Sequence, residues 1–332
     1  MIGRRSWKNG TALTLPFLGD RAMVLSVTDP IERAIDRTKT ILFNPFQAGK
    51  WFSLGFCAFL AQLGSSCGNA SNSFRNPGGG SNLDENFQAV LDPVKEWLLA
   101  HLALVAVGVA LLLLVGLALA WVQARGQFMF LDGVVHNRGE IAAPWKEYAR
   151  EGNGLFLFNL VFGVLMLLGL AVIVGLGIAL ALPDIRAEEF GQRALLALLV
   201  GVPLLLILLV AAAVIGVVLS DFVVPTMYSR RQGVMVAWGT VRREVLTGRV
   251  STLVLYFLMK IVIAIAIGIL GFLACCFTCC IALLPYLGTV ICLPLFVFQR
   301  SYSLCFLEQL GPDWSLFSAE PLSEAQAPEV EA

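Results

Sequence analysis

The sequence predicts an all-α membrane protein with six transmembrane helices in three parallel helix-hairpin units. First, 58% of the 332 residues are hydrophobic and only 14% are charged, with a mean hydropathy of +0.80. A soluble domain is seldom this apolar. Second, long uncharged runs divide the chain at lengths that suit a bilayer. Third, a basic motif that contains tryptophan occurs twice, and each copy precedes an apolar run, which indicates repeated units in one orientation.

The uncharged runs locate the spans. A helix needs about 20 residues to cross roughly 30 Å of hydrocarbon. The region from Arg249 to Arg300 would form a helix about 75 Å long, so the chain must reverse within it, around Cys275 to Pro285. The predicted spans are residues 46–64, 97–122, 154–182, 194–220, 250–274 and 281–300.

Charge distribution predicts the orientation. The chain has 23 basic and 23 acidic residues, and this balance gives no reason to expect a nucleic-acid partner. Most of the Lys and Arg residues fall in the segments on one side of the predicted spans, which is the cytoplasmic side by the positive-inside rule. We therefore expect a multi-pass protein of the bacterial inner (plasma) membrane with both termini in the cytoplasm.

The spans belong to one membrane domain, residues 29–310. An N-terminal extension, residues 1–28, precedes it and is expected to be disordered. The domain opens on Asp29-Pro30, a favourable start for an amphipathic surface helix. The tail, residues 311–332, has five acidic and no basic residues and is also expected to be disordered.

The repeated motif predicts helices on the cytoplasmic membrane surface. Its two copies are separated by 93 positions, and each one leads into a span. Basic and tryptophan residues at the membrane boundary are typical of such helices. After the first copy, Gly152-Asn153-Gly154 predicts a turn into the third span. The candidate residues for contact with lipid are Arg138, Trp145, Arg150, Arg231, Trp238, Arg242 and Arg243, and Glu151 and Glu244 complete the two copies.

Lys260 is the only charged residue well inside a predicted span. A charge at such a depth is a functional candidate by default. One interpretation is a role in the transport of a small solute or an ion. The other is a lysine that extends its ammonium group to the inner surface. No acidic residue lies within a neighbouring turn of the same helix.

Four cysteines form the remaining cluster. Cys275, Cys276, Cys279 and Cys280 share one flank of a helix, and the sequence leaves three interpretations open: packing, disulfides, or a soft metal ion. No histidine lies beside them. The sequence contains no glycine-rich phosphate loop and no nucleophile elbow, so we expect neither a catalytic centre nor a cofactor.

The interfacial helix followed by a hairpin, with Phe128, Phe130, Trp145 and the boundary Asp221-Phe222-Val223-Val224-Pro225, carries a family resemblance. The region from Asp29 to Leu310 resembles uncharacterised bacterial polytopic membrane proteins. These are similar to the integral membrane domain attached to some glycerophosphoryl diester phosphodiesterases. Because no hydrolase domain accompanies the region here, the resemblance implies a membrane domain without the phosphodiesterase activity.

Two function classes follow. The leading hypothesis is a non-enzymatic membrane component whose basic surface helices contact membrane lipids, a membrane-protein partner or a second copy of the chain. The competing hypothesis is a transporter or channel that uses Lys260.

Overall fold

The computed structural model describes residues 26–44, 46–69, 97, 100–186, 191–247, 250–278, 285–311 and 314–317, and all regular structure in these residues is helical. The all-α class is therefore confirmed. The helices are α1 (Asp29–Phe43), α2 (Ala48–Asn69), α3 (Leu102–Val135), α4 (Ala142–Glu147), α5 (Ala149–Arg186), α6 (Gln192–Val218), α7 (Val224–Arg230), α8 (Val234–Val241), α9 (Val250–Phe277), α10 (Pro285–Ile291) and α11 (Leu293–Glu308). Two π turns, Leu219–Val223 and Arg242–Leu246, follow α6 and α8.

Within the described residues, four helical segments are long and apolar enough to cross a membrane. They are Leu102–Val135, Ala149–Asp184, Gln192–Arg230 and Ser251–Ala274, and they coincide with the second to fifth predicted spans. Helix α2 and the pair α10–α11 lie where the first and sixth spans are predicted, but neither is among these four segments. Six spans and three repeated units stay predictions.

The long helices each have two parts. In α3, residues 102–119 are almost all exposed although they are apolar, and the helix is buried from Gly126 onward at nearly every position. Since 34 residues extend about 51 Å, α3 is longer than the hydrocarbon is thick. The segment from α6 to α7 likewise passes from mostly exposed to mostly buried residues at Val218. The buried core therefore lies at one end of the molecule, and the exposed apolar parts suit a lipid environment.

The first π turn has a cause in the sequence. Pro225 follows it, and a proline inside an α-helix loses one hydrogen bond and collides with the carbonyl four residues earlier, here that of Asp221. The helix widens to a π turn over Leu219–Val223, and the Val224 N–H donates to the Leu219 carbonyl. The chain thus passes Pro225 without ending, and Asp221 faces the core.

Helix α1 packs against protein at its apolar face. Ala34, Ile41 and Leu42 are fully buried, and α1 lies along α11. Beyond α11, residues 314–317 of the predicted disordered tail turn back toward this pair. The guanidinium of Arg37 stands 4.2 Å from the centre of the Phe317 ring, and Trp314 is buried. Residues 1–25 and 318–332 lie outside the described residues.

The turn predicted at Gly152-Asn153-Gly154 is wrong. Helix α5 begins at Ala149 and continues through all three residues, and the chain turns at Tyr148. A close approach explains the first glycine: a Cβ at Gly152 would stand 2.8 Å from Cγ of Arg125 on α3. The glycine makes room for a neighbouring helix and does not form a bend.

A substitution at Gly126 on α3 tests how closely α2 packs against α3. An added Cβ would stand 2.7 Å from the backbone carbon of Leu60 and 2.8 Å from the backbone nitrogen of Ala61, so the α2 backbone would have to move. We expect Gly126→Ala to lower the free energy of unfolding by about 2 kcal/mol. Denaturant unfolding in mixed micelles, followed by circular dichroism, measures the change.

The matched control lies on the same helix. Gly116 has open space where a Cβ would be, so Gly116→Ala should raise the free energy of unfolding by about 0.5 kcal/mol. Equal stabilities of the two variants would contradict the close packing of α2 on α3.

Candidate functional site

Two buried carboxylates organise the core end of the molecule. Asp132 on α3 is fully buried, and Asp221 in the first π turn is 5% exposed. A buried charge is costly unless cations and hydrogen-bond donors surround it. Each carboxylate has such partners, and they come from different helices. We call the two groups the Asp132 cluster and the Asp221 cluster.

The Asp132 cluster joins α3 to α7. Nε and Nη2 of Arg138 form a fork on the carboxylate, with Nε donating to Oδ2 at 3.1 Å and Nη2 to Oδ1 at 3.3 Å. The Tyr228 hydroxyl donates to Oδ1 at 2.8 Å, and Nδ1 of His136 lies 3.1 Å from the same oxygen. Charge-assisted, two-pronged contacts of this kind are among the stronger hydrogen bonds in proteins.

Stacked aromatic rings extend the Asp132 cluster. Tyr148 stacks on Tyr228 with 4.7 Å between ring centres, and the guanidinium of Arg231 lies 3.9 Å above the Tyr148 ring. Burial raises the pKa of Tyr148. Burial alone would lower the pKa of Arg138, but the hydrogen bonds and charge of Asp132 outweigh this effect and raise it. Both side chains therefore keep their protons at neutral pH.

The Asp221 cluster joins the first π turn to α9. Nζ of Lys260 lies 2.8 Å from Oδ2 of Asp221, and the Tyr256 hydroxyl donates to the same oxygen at 2.9 Å. Tyr256 is fully buried, with its ring 4.5 Å from that of Phe306. Lys260 is 8% exposed. It is therefore a buried partner of Asp221 and does not extend to the surface.

A cavity of about 310 Å³ adjoins the Asp221 cluster. Helices α2, α3 and α11 and the first π turn form its walls. Arg300 on α11 lines it and donates from Nη1 to the Ser220 carbonyl at 2.6 Å. The polar residues along the cavity are Gln62, Gln127, Ser220, Asp221, Gln299 and Arg300.

The surface of α8 combines exposed apolar and basic residues. Met235 is 71% exposed and Val236 is 57% exposed. Arg242 and Arg243, in the π turn that follows, are exposed, and so is Arg150 at the start of α5. Among the residues that the structure describes, no carboxylate pairs with these three arginines. We call Met235, Val236, Arg242 and Arg243 the α8 surface.

The other motif residues are held within the protein. Arg138 binds Asp132, and Arg231 pairs with the Glu147 carboxylate. Trp145 meets Trp121 edge to face, with ring centres 5.7 Å apart. In the second copy, Trp238 lies 6.4 Å from the ring of Phe158, and Glu244 pairs with Arg230, whereas Glu151 of the first copy is buried. The two copies thus have different surroundings.

The cysteine cluster falls largely beyond what is described. Cys279 and Cys280 lie outside the described residues, and the side chain of Cys275 is not described either. Cys276 is exposed and has a free thiol. In the described part of the chain, no three His, Cys, Asp or Glu side chains gather as metal ligands. The three interpretations of this cluster stay open.

Sequence reasoning missed both carboxylates, because Asp132 lies beyond the predicted end of the second span at residue 122 and Asp221 marks the polar limit of the fourth. One signal was available. Asp132-Gly-Val-Val and Asp221-Phe-Val-Val share a pattern in which apolar residues continue on both sides of the acid. An acid inside an unbroken apolar stretch is expected to be buried and paired.

The helical fold and its apolar helices define a multi-pass membrane protein. A model of a family of unknown function, DUF7544, matches residues 25–294, and the chain belongs to this family. No curated protein matches the chain, and no solved structure matches it.

Two carboxylates share Arg138, and they form a matched pair for mutagenesis. Asp132 is buried, whereas Glu140 is exposed and lies 3.6 Å from Nη1 of Arg138. Asp132→Asn leaves the arginine without its buried counter-charge, so we expect a loss of about 3 kcal/mol in the free energy of unfolding. Glu140→Gln should change it by less than about 0.5 kcal/mol.

Unfolding of both variants in mixed micelles at neutral pH measures the difference. If Asp132→Asn were as stable as Glu140→Gln, the Asp132 cluster would not be a structural centre.

Proposed function

We propose that the protein is a non-enzymatic component of a bacterial inner membrane that binds anionic phospholipid through the α8 surface. The observation that carries this proposal is the position of exposed arginines beside exposed apolar side chains at the end of the apolar helices. This is the composition of a helix that lies in the membrane interface.

The proposed topology has six spans with both termini in the cytoplasm. Four segments have the length and hydropathy of spans, and α2 and α10–α11 would supply the other two. The excess of basic residues on one side supports the orientation. In this arrangement the α8 surface faces the cytoplasmic leaflet, which is rich in anionic lipid.

An apolar groove beside α8 supports lipid over a water-soluble ligand. It has a volume of about 450 Å³, and Phe158, Phe162 and Leu165 of α5 face Val234–Val236 across it. A second groove of about 430 Å³ also borders Met235 and includes Arg242. An acyl chain in the first groove would place its headgroup near the arginine of the second.

The unpaired arginines supply the charge selectivity. Arg231 and Arg138 already have carboxylate partners, so they add little attraction for a phosphate group. Arg150, Arg242 and Arg243 have no such partner in the described structure. Each basic residue near an anionic leaflet contributes about 1 kcal/mol.

The resemblance that the sequence predicts, to the membrane domain of some glycerophosphoryl diester phosphodiesterases, would agree with a role at the lipid surface. We propose that the membrane domain of this chain holds lipid without cleaving it.

The test removes the charges of Arg242 and Arg243 on the α8 surface together with that of Arg150 on α5, and it keeps the apolar groove. We expect the triple variant Arg150→Gln, Arg242→Gln and Arg243→Gln to bind phosphatidylglycerol roughly 100-fold more weakly, since about 3 kcal/mol is lost. Native mass spectrometry of the full chain, titrated with phosphatidylglycerol or phosphatidylcholine in detergent, measures the retained lipid. Binding of phosphatidylcholine should not change.

Arg193→Gln is the matched control, because Arg193 is exposed at the opposite end, at the start of α6. It should bind phosphatidylglycerol like the wild type. Equal phosphatidylglycerol binding by the triple variant and the wild type would overturn the proposal, and a protein partner would then become the better explanation of the α8 surface.

A transporter or channel is the second candidate, and the cavity beside Asp221 favours it. This function would require Lys260 to release Asp221 during each transport cycle, whereas lipid binding at the α8 surface leaves the pair intact. Solute flux through liposomes that disappears in Lys260→Met, with the fold retained, would favour the transporter.

A further inference from the structure

The cavity beside the Asp221 cluster is unusually polar for a space between membrane helices. Glutamine side chains from three helices line it, Gln62 from α2, Gln127 from α3 and Gln299 from α11. The three glutamines are half-buried, and amide groups at such a position suit contact with polar groups better than contact with lipid. The composition indicates a space suited to a polar molecule.

The charges around the cavity do not balance. Among the residues that the structure describes, Asp221 is the one acid that lines the cavity, and its carboxylate already contacts Lys260 at 2.8 Å. Arg300 is therefore a second cation beside a single anion, so Asp221, Lys260 and Arg300 together carry a net charge of +1. An uncompensated positive charge at a partly buried site attracts an anion more strongly than the same charge in water.

The guanidinium of Arg300 has an unused edge. Nη1 donates to the Ser220 carbonyl, but the buried Nε and Nη2 atoms have no partner among the described residues. Nε and Nη2 are the two atoms that Arg138 uses for its fork on Asp132. This edge matches two oxygens of a carboxylate or a phosphate. Both atoms are covered by protein, so Arg300 offers this fork to a ligand when its side chain turns toward the cavity.

We infer that the cavity binds a small oxyanion, a carboxylate or phosphate group, and that the Arg300 side chain turns its Nε and Nη2 edge onto the anion, with Gln127 and Gln299 near the rest of the ligand. A volume of about 310 Å³ accommodates a small metabolite anion or the headgroup of a phospholipid. The shared chemistry is an oxyanion with two accessible oxygens. This site is separate from the α8 surface and does not depend on it.

The experiment changes the net charge around the cavity one step at a time. It compares the wild type (+1) with Arg300→Gln (0), Lys260→Met (0), Asp221→Asn (+2) and the double variant Asp221→Asn with Lys260→Met (+1). The full chain is placed in nanodiscs of phosphatidylcholine, and isothermal titration calorimetry measures the binding of inorganic phosphate and of acetate. A second arm measures phosphatidylglycerol retained by the same variants in native mass spectrometry.

We expect Arg300→Gln and Lys260→Met to weaken binding at least tenfold. In Lys260→Met the freed Asp221 carboxylate neutralises Arg300. The double variant Asp221→Asn with Lys260→Met should bind like the wild type, because it restores the charge of +1. It also lacks a buried carboxylate without its lysine, so it can be measured even if Lys260→Met folds poorly. Arg300→Lys keeps the charge but lacks the fork, so its affinity should lie between those of the wild type and Arg300→Gln.

The two arms distinguish the source of the anion. A soluble ligand is indicated if free phosphate or acetate binds the wild type and the double variant most tightly, Arg300→Lys less tightly and Arg300→Gln least. Phosphatidylglycerol that is lost in Arg300→Gln, but kept in the triple variant of Arg150, Arg242 and Arg243, indicates a lipid headgroup in the cavity. If neither free anion binds and lipid retention is the same in Arg300→Gln as in the wild type, the inference is overturned. It is also overturned if the double variant folds and does not bind.

Discussion

The ion pair between Asp221 and Lys260 is the contact that joins α9 to the buried core, and the Asp221 cluster depends on it. Helix α9 is exposed along most of its apolar length, and its buried positions include Tyr256, Ile263 and Lys260. Tyr256 and Lys260 both reach Asp221. Without this carboxylate, a buried ammonium would stand alone, at a cost of several kcal/mol. The pair thus fixes α9 against the segment that follows α6.

The need to pair buried charges also explains why the candidate sites lie where the long helices pass from exposed apolar residues to buried ones. In the exposed apolar parts, lipid can surround the side chains, and no polar group is needed. At the core end, helices of different origin meet, and the backbone and charged groups must be satisfied within the protein. Asp132 near the end of α3 and Asp221 just after α6 each bind charged and hydroxyl groups from neighbouring segments of the chain. The cavity and the α8 surface border this packed region.

Much of the helical plan was predictable from the sequence. The uncharged runs at 97–122, 154–182, 194–220 and 250–274 correspond to helical segments of the length and hydropathy of spans, because hydrophobicity and length are local properties. The start at Asp29-Pro30 is also correct, since α1 begins at Asp29.

The ion pairs were not predictable, since a partner is a tertiary property. The acid that meets Lys260 lies 39 positions earlier in the chain, far beyond a neighbouring turn. Arg138 and Arg231 fit the pattern of membrane-surface residues, yet each pairs with a carboxylate of the protein. Gly152 fits a turn, but it serves helix packing, because composition does not tell a bend from a close approach.

A double-mutant cycle on the unfolding of the full chain in mixed micelles tests the Asp221–Lys260 pair most directly. It compares Asp221→Asn, Lys260→Met and the double variant with the wild type. If the pair fixes α9, each single change should cost about 3 kcal/mol, and the double change should cost at least about 2 kcal/mol less than the two single costs combined. Additive costs would contradict the account, because the two residues would then contribute to stability independently.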